Sequence, residues 1–210
     1  MKLIFKSALA ALCLTVCQLA TAQDAAAPVA APVTVPAGMG TLVVDVNQFT
    51  SEKELPKKVN KQLANGGLEW GIKDNQIVFT MVGKQFLDFP INHMTRYGQN
   101  ESLQLPAGEY RITGIGLEAV VGFSVQKILD KGAYVNENVM TFTIEPGKTT
   151  TLNIKPVIYK DNAIVTWYMP TLVGTTRSEA GTSTEVQINT RTDASIAWPQ
   201  YNGPLKFVAK

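Results

Sequence analysis

The segment Leu103-Gln104-Leu105-Pro106-Ala107-Gly108-Glu109-Tyr110-Arg111-Ile112 carries the clearest fold signal in this chain. Pro106-Ala107-Gly108 has the composition of a tight turn, because proline fixes its own φ and glycine tolerates positive φ. Tyr110 and Ile112 then alternate with polar residues, which is typical of a half-buried strand. We therefore predict a strand, a turn and a second strand within residues 103–112.

The same arrangement returns later in the chain. Thr141-Phe142-Thr143-Ile144 leads into Glu145-Pro146-Gly147-Lys148, and a threonine-rich strand follows from Thr149 to Ile154. Strand–turn–strand units of this kind are typical of antiparallel sandwiches. The sequence therefore predicts a mainly β protein, a single antiparallel β-sandwich with one or two short helices.

These two units resemble the small bacterial envelope β-sandwich domains of prealbumin-like (carboxypeptidase-regulatory-like) architecture. In those domains an LPAGEYRITG segment and an FTIEPGKTTTLNI segment recur, and here they are residues 105–114 and 142–154. The resemblance covers Leu103 to Ile154 and implies a sandwich fold and a non-catalytic module. Its motifs are turn signatures, which report fold rather than activity. The long stretch between the two units departs from a plain hairpin.

The residues before these units predict further short elements. Gly40 to Phe49 alternates, with Leu42, Val44 and Val46 on one face, and predicts the first strand. Glu54 to Ala64 predicts a short helix, with Pro56 in its first turn.

A hairpin is predicted next. Leu68 to Ile72 and Ile77 to Val82 are apolar runs that flank Lys73-Asp74-Asn75-Gln76. Aspartate and asparagine favour turns because they tolerate left-handed backbone conformations. We therefore expect two antiparallel strands joined at residues 73–76.

Several later stretches are less regular. Leu117 to Lys131 fits both a helical face and an alternating strand, and we predict a strand for its first half and a helical turn for its second. Thr171 to Thr184 is rich in Thr, Ser and Gly and predicts a mobile loop after a strand at 163–168. Residues 185–190 and 205–208 predict late strands.

Residues 1–22 have the pattern of a secretory signal peptide. A short basic start is followed by an apolar run from Ala8 to Ala20, and Ala20-Thr21-Ala22 predicts cleavage after Ala22. Residues 23–39 are rich in Ala and Pro and predict either a semi-extended tether or a simple connection to the first strand. The domain prediction is therefore a signal at 1–22, a tether at 23–39 and a β-sandwich at 40–210, in the periplasm or secreted.

The positions of the cysteines and the net charge exclude several kinds of bond and partner. Cys13 and Cys17 both lie inside the signal, so the mature chain is predicted to contain no disulfide. Lipidation of Cys17 is disfavoured because Val16 stands where a small residue is needed. Loss of Lys2 and Lys6 leaves 17 basic and 17 acidic residues from totals of 19 and 17. We predict no nucleic-acid partner and no transmembrane segment in the mature chain.

Three motifs suggest chemistry, and each has a simpler interpretation. Gly114-Ile115-Gly116-Leu117-Glu118-Ala119 matches a dinucleotide fingerprint, but its antiparallel-type flanks favour glycines that relieve crowding at a strand bend. Ser124-Val125-Gln126-Lys127 has the S-x-x-K spacing of penicillin-interacting serine enzymes, without their Ser-Asp-Asn and Lys-Thr-Gly partners. His93 is the only histidine, and one such ligand cannot hold zinc. We predict no cofactor, no metal and no catalytic residues.

Aromatic residues late in the chain are the remaining candidates for a binding site. Trp167, Trp198 and Tyr201 lie late in the chain, and we predict them as ligand-binding residues because exposed Trp and Tyr stack on sugars or anchor protein partners. The competing interpretation is that Trp167 fills the core and Trp198 covers one end of the sandwich.

The function predicted from these features is a non-catalytic, exported envelope module that binds a protein partner or a glycan. One alternative is a structural subunit or accessory of a surface or outer-membrane assembly, which predicts an unpaired edge strand and association that depends on concentration. Another is a periplasmic serine hydrolase that uses Ser124 and Lys127. The sequence leaves the partner and the oligomeric state open.

The signal prediction has a direct test. Protein purified from the envelope or the medium should begin at Gln23, because the small residues Ala20 and Ala22 fit the signal peptidase. Intact-mass measurement would read the mature end. A protein that keeps its first 22 residues would contradict the prediction.

Overall fold

The computed structural model describes residues 35–52, 54–80, 89–118, 125–161 and 167–205. Its helices and strands in chain order are β1 (Met39–Val46), β2 (Thr50–Ser51), α1 (Lys57–Ala64), β3 (Gly67–Lys73), β4 (Gln76–Thr80), β5 (His93–Arg96), β6 (Gln99–Pro106), β7 (Gly108–Leu117), α2 (Val125–Lys131), β8 (Ala133–Ile144), β9 (Thr149–Asp161), β10 (Trp167–Ser178), β11 (Gly181–Thr182), β12 (Val186–Gln187) and β13 (Ile196–Ala197). Neither of the two described helices is long and apolar enough to cross a membrane.

The strands form two sheets. The first sheet has the order β11-β10-β9-β1-β6, with β12 beside β10 and β2 beside β9, and the second has the order β13-β8-β7-β4-β3-β5. Apolar side chains from both sheets meet in one core. The prediction of a mainly β sandwich with one or two short helices is confirmed, and two helices are described. Most neighbours are antiparallel, while β1 with β9, β2 with β9 and β4 with β7 pair in parallel.

Strand β1 lies inside the first sheet, between β6 and β9. Its residues alternate between partly exposed and buried, and Leu42, Val44 and Val46 are fully buried. Their predicted position on one core-facing side is therefore confirmed. A strand with period-two hydrophobicity holds its register strongly, because a slip of one residue would turn this whole apolar row towards water.

The two predicted proline-containing turns are present, and each carries the chain from one sheet to the other. The turn around Ala107 joins β6 of the first sheet to β7 of the second, and residues 145–148 join β8 of the second to β9 of the first. Gly147 has φ of 71°, a left-handed conformation that favours glycine. These units are thus crossings between layers rather than hairpins within one sheet.

The first helix and the hairpin after it are also confirmed. Helix α1 lies within the predicted range and begins after Pro56, whose carbonyl accepts a hydrogen bond from the Asn60 N–H at 3.0 Å. Strands β3 and β4 pair antiparallel around Asp74 and Asn75, whose φ values are 50° and 57°. Two consecutive residues with positive φ are typical of a type I′ hairpin turn.

The prediction of a mobile loop at Thr171 to Thr184 is wrong. Residues 171–178 belong to β10, which pairs antiparallel with β9, and Thr171, Leu172 and Val173 are buried. Threonine is β-branched and fits a strand as well as a loop. Its partner β9 decides between the two, and this pairing has no signal within the segment itself.

The other irregular stretches are partly described. Helix α2 confirms a helical turn in the second half of Leu117 to Lys131; β7 ends at Leu117, and residues 119–124 lie outside the described residues. In the predicted strand at 185–190 only Val186 and Gln187 are in a strand. Leu205 is buried but lies in no strand, and residues 206–208 lie outside the described residues.

The second sheet is covered on both of its faces. Val78, Ile115 and Val135 point away from the main core and join a second apolar cluster. Two other parts of the chain, represented by Phe89 and Leu205, supply the rest of this cluster. All five residues of β4 are buried as a result. The cluster forms the base on which the late aromatic residues lie.

The segment around β12 closes one edge of the sandwich. Ile188 is fully buried in the main core, and its N–H donates to the Leu172 carbonyl at 2.7 Å. It enters where the β7–β8 register is interrupted between Ile112 and Gly114. A Cβ built on Gly114 would lie 1.8 Å from the Ile188 carbonyl oxygen. Gly114 therefore permits a close approach of two backbones, as predicted for a glycine at a strand irregularity.

This contact predicts a clear difference between two glycine variants. Gly114→Ala should lower the free energy of unfolding by about 1–3 kcal/mol, because the new methyl meets a backbone carbonyl that cannot easily move. Gly174→Ala is the matched control, since its Cβ would meet the flexible end of the Ile188 side chain at 3.0 Å. Urea unfolding of both variants should show the larger loss for Gly114→Ala. Equal losses would contradict this account.

Candidate functional site

Two of the three predicted site residues lie together. Trp198 begins a 3-10 helical turn, Trp198–Gln200, directly after β13, and the Tyr201 N–H donates to the Trp198 carbonyl at 3.0 Å. The two rings stack with centroids 5.4 Å apart and planes at 29°. Pro199 stabilises this turn because its fixed φ is compatible with a helical conformation. We call Trp198–Tyr201 the aromatic turn.

The aromatic turn rests on the second apolar cluster. Trp198 and Tyr201 are partly buried and pack against the group that contains Val135 and Leu205. Pro199 and Gln200, between the two rings in sequence, are exposed. The turn therefore presents a firm surface at the β13 edge of the second sheet.

The Tyr201 hydroxyl has an unusual environment. It is buried beside the Glu137 carboxylate and the Leu205 backbone, without a hydrogen bond of ordinary geometry to either. Burial first, and the negative charge of Glu137 second, raise the pKa of Tyr201 from 10.0 to about 12. A Cβ on Gly203 would lie 2.0 Å from this oxygen, so only glycine leaves room for it. Tyr201 is thus neutral and fixed in position at physiological pH.

A buried asparagine anchors the segment before the aromatic turn. The Asn136 side-chain amide donates to the carbonyls of Ile188 at 3.1 Å and Thr190 at 2.8 Å. Its oxygen accepts a hydrogen bond from the Ser195 hydroxyl at 2.6 Å. Because all three contacts lie far from Asn136 in sequence, one side chain fixes the path of residues 188–195.

Two surface residues hold the same segment from another side. The Arg191 guanidinium lies over the Tyr134 ring at 4.3 Å, and its Nε donates to Glu118 at 2.9 Å. The Tyr134 hydroxyl donates to the Asn189 carbonyl at 3.0 Å. The chain that leads into the aromatic turn is therefore tied at several points to strand β8 and to Glu118, which directly follows β7.

Trp167, the third predicted site residue, is not brought to the aromatic turn by any described contact. It is the first residue of β10 and pairs in register with Asp161. Its side chain lies outside the described residues, so its role stays a prediction. Ser124 also lies outside the described residues, while Lys127 is exposed on α2. The proposed Ser124–Lys127 pair therefore stays a prediction as well.

A second polar cluster lies at the opposite edge of the second sheet. His93 on β5 contacts Glu101 on β6 with an Nδ1–Oε1 distance of 2.7 Å, and its ring stacks on Trp70 at 4.3 Å. Thr95 links the two parts, since its hydroxyl donates to Glu101 at 3.2 Å and accepts from the Trp70 Nε1–H at 3.0 Å. This cluster ties the two sheets together.

The sequence drew attention to His93 as the only histidine, but it gave no sign of Glu101 and Thr95 as its neighbours. These residues lie on different strands, and Glu101 belongs to the other sheet. No local spacing relates them, because only the packing of one sheet on the other brings them together. In the described part of the chain, no group of three or more His, Cys, Asp and Glu side chains is placed to hold a metal ion.

Comparisons with protein-family models, with curated proteins and with solved structures found no match to this chain. The fold defines the described residues as a two-sheet β-sandwich, and the candidate site rests on its own geometry.

The environment of Tyr201 predicts a pH effect. Its pKa lies near 12 in the folded chain and at 10.0 ordinarily. Between these values unfolding releases a proton, so the free energy of unfolding should fall as pH rises from about 10 to about 12 and should not change with this group below that range. Tyr201→Phe should reduce this fall, measured by urea unfolding at several pH values.

Absorbance titration at alkaline pH gives an independent measurement. Tyr201→Phe should remove the tyrosine that ionises last. Glu137→Gln should lower the Tyr201 pKa only part of the way to 10.0, because burial is the larger cause. An unchanged high-pH absorbance step in Tyr201→Phe would show that another tyrosine causes it.

Proposed function

We propose that this protein is an exported, non-catalytic module of the cell envelope that binds a protein partner or a glycan through the aromatic turn. One observation carries the proposal: Trp198 and Tyr201 stack on each other, partly exposed, on a base fixed by buried contacts. Export to the periplasm or the medium is supported by the signal pattern at residues 1–22.

Preorganised aromatic rings are effective binding surfaces. Tryptophan and tyrosine offer large apolar faces with few rotatable bonds, and they are common among the residues that dominate binding energy. Because these two rings are already held by stacking and by the apolar cluster beneath them, binding would cost little side-chain entropy. A sugar ring or an apolar side chain of a protein partner has the shape and chemistry to pack on such a surface.

The polar groups around the turn support binding rather than chemistry. The Asn136 amide is engaged with the backbone of residues 188 and 190 and with Ser195. Arg191 is held by Glu118 and the Tyr134 ring. These side chains hold residues 188–195, the segment that leads into the turn, which is the arrangement expected of a rigid docking surface.

The test is a comparison of two tryptophan variants. Trp198→Ala should weaken binding by at least about tenfold, the effect expected of a central aromatic anchor. Trp198→Phe is the matched control and should keep most of the affinity, since it retains an aromatic face. Binding would be measured by isothermal titration calorimetry with soluble peptidoglycan fragments, and by co-purification of a tagged chain from intact envelopes.

The two readouts distinguish the possible partners. Saturable heat of binding with the peptidoglycan fragments, lost in Trp198→Ala and kept in Trp198→Phe, would support a glycan. A stoichiometric envelope protein, lost in the same variant, would support a protein partner. If Trp198→Ala retains all binding found for the wild-type chain, the aromatic turn is not the site and the proposal fails.

One observation favours the structural alternative, a subunit or accessory of a surface assembly. In the described ranges, β6 pairs with β1 alone and has no strand on its other side. This matches the unpaired edge strand that the alternative predicts.

A further inference from the structure

Strand β6 is one edge of the first sheet as described, and its pairing with β1 shows which of its backbone groups face outwards. The Val46 carbonyl accepts from the Gly98 N–H at 2.8 Å, while the Thr41 and Asn47 N–H groups bond to the β9 side at 2.8 and 2.9 Å. Even-numbered β1 residues therefore face β6, because backbone groups alternate along an antiparallel ladder. In the observed register their partners are the odd-numbered β6 residues.

The even-numbered residues of β6 consequently direct their backbone groups to the edge. These are Asn100, Ser102 and Gln104, followed by Pro106, which has no N–H. Strand β5 is only four residues long and reaches β6 through the side-chain contacts of His93 and Thr95 with Glu101. Among the described residues, no backbone pairing occupies the edge from Ser102 onwards.

This edge lacks the features that prevent an edge strand from pairing with the edge strand of another chain. Monomeric proteins usually protect such edges with lysine, a central proline, a bulge or a very short strand. Strand β6 pairs with β1 over eight consecutive residues without a bulge, contains no basic residue and has proline only at its last position. Leu103 and Leu105 alternate on its inner face and are only partly buried.

We propose that two copies of this chain pair antiparallel along β6, about a two-fold axis at Leu103, and so join their first sheets into one. In this register Ser102 lies opposite Gln104 of the second copy, and Leu103 lies opposite Leu103. Ser102 and Gln104 then exchange backbone hydrogen bonds with their counterparts, which satisfies the outward groups. Pro106, which has no N–H, lies at the end of the ladder, where only one terminal hydrogen bond is lost.

Charge supports a second copy as the occupant of this edge. Glu101 is the only charged residue of β6, and its carboxylate contacts His93 and Thr95. In the proposed register the two Glu101 residues are four positions apart, about 13 Å along the strand, which exceeds the screening length at physiological salt. Two identical strands can therefore pair without like charges facing each other. One two-fold contact provides hydrogen-bond partners for the outward backbone groups of both copies.

The proposal is independent of the aromatic turn. In the second sheet β5 and β13 are at opposite edges. Strand β6 contacts β5, while the aromatic turn follows β13. Pairing through β6 would leave both aromatic turns accessible, and the dimer would bind a repeating glycan or a clustered partner at two points.

Two double variants test both the pairing and its register by sedimentation velocity over a broad concentration range. Ser102→Lys with Gln104→Lys places like charges opposite each other and should raise the dimer dissociation constant at least about tenfold. Ser102→Lys with Gln104→Glu places opposite charges across the axis and should restore dimerisation. Ser102→Ala is the neutral control and should behave as the wild-type chain. Both substituted positions are exposed, and near-ultraviolet circular dichroism would confirm that each variant folds.

Each result decides for or against the proposal. A wild-type chain that sediments as a monomer at every concentration would overturn it. So would a dimer that tolerates the two lysines, or one that the lysine–glutamate pair fails to restore. Trp198→Ala should leave the dimer intact, so a failure of the aromatic turn as a binding site would be seen separately.

Discussion

The start of β1 is the point on which the rest of the sandwich depends. Both crossings between the sheets lie against it: the Ala107 N–H donates to the Gly38 carbonyl at 2.9 Å, and the Gly147 N–H donates to the Met39 carbonyl at 2.8 Å. Gly40 has no room for a side chain, since a Cβ there would lie 2.3 Å from the Glu145 carbonyl oxygen. One strand end thus fixes where the chain changes layer in both directions, and hence how β6 and β9 flank β1.

The two edges of the second sheet are stabilised by different kinds of contact. At one edge His93, Glu101 and Thr95 connect the two sheets with polar contacts around the buried Trp70. Near the other, Ile188 fills the core and the buried Asn136 fixes the chain that leads to the aromatic turn. The proposed recognition depends on a partly exposed aromatic pair on a fixed base, and the proposed association depends on a long edge strand with a single charged residue.

Local chemistry explains why much of this fold was predictable. Leu42, Val44 and Val46 alternate within one strand. Asp74 and Asn75 tolerate the positive φ of the hairpin turn. Pro56 is compatible with the start of a helix, where its missing N–H is not needed. Each of these signals acts over a few residues, so no distant partner is needed. The loop predicted at residues 171–178 is wrong because threonine-rich composition suits both a strand and a loop. The pairing with β9 makes this segment a strand.

The class of fold, the positions of the turns, the core face of β1 and the closeness of Trp198 to Tyr201 follow from the sequence, because they depend on neighbours along the chain. Packing between strands decides that the two turns cross between sheets, that Glu101 meets His93, that burial and then Glu137 raise the pKa of Tyr201, and that β6 is an edge. Those features arise where separate strands pack together. The pattern within each strand records which face is buried, but not which strand lies against it.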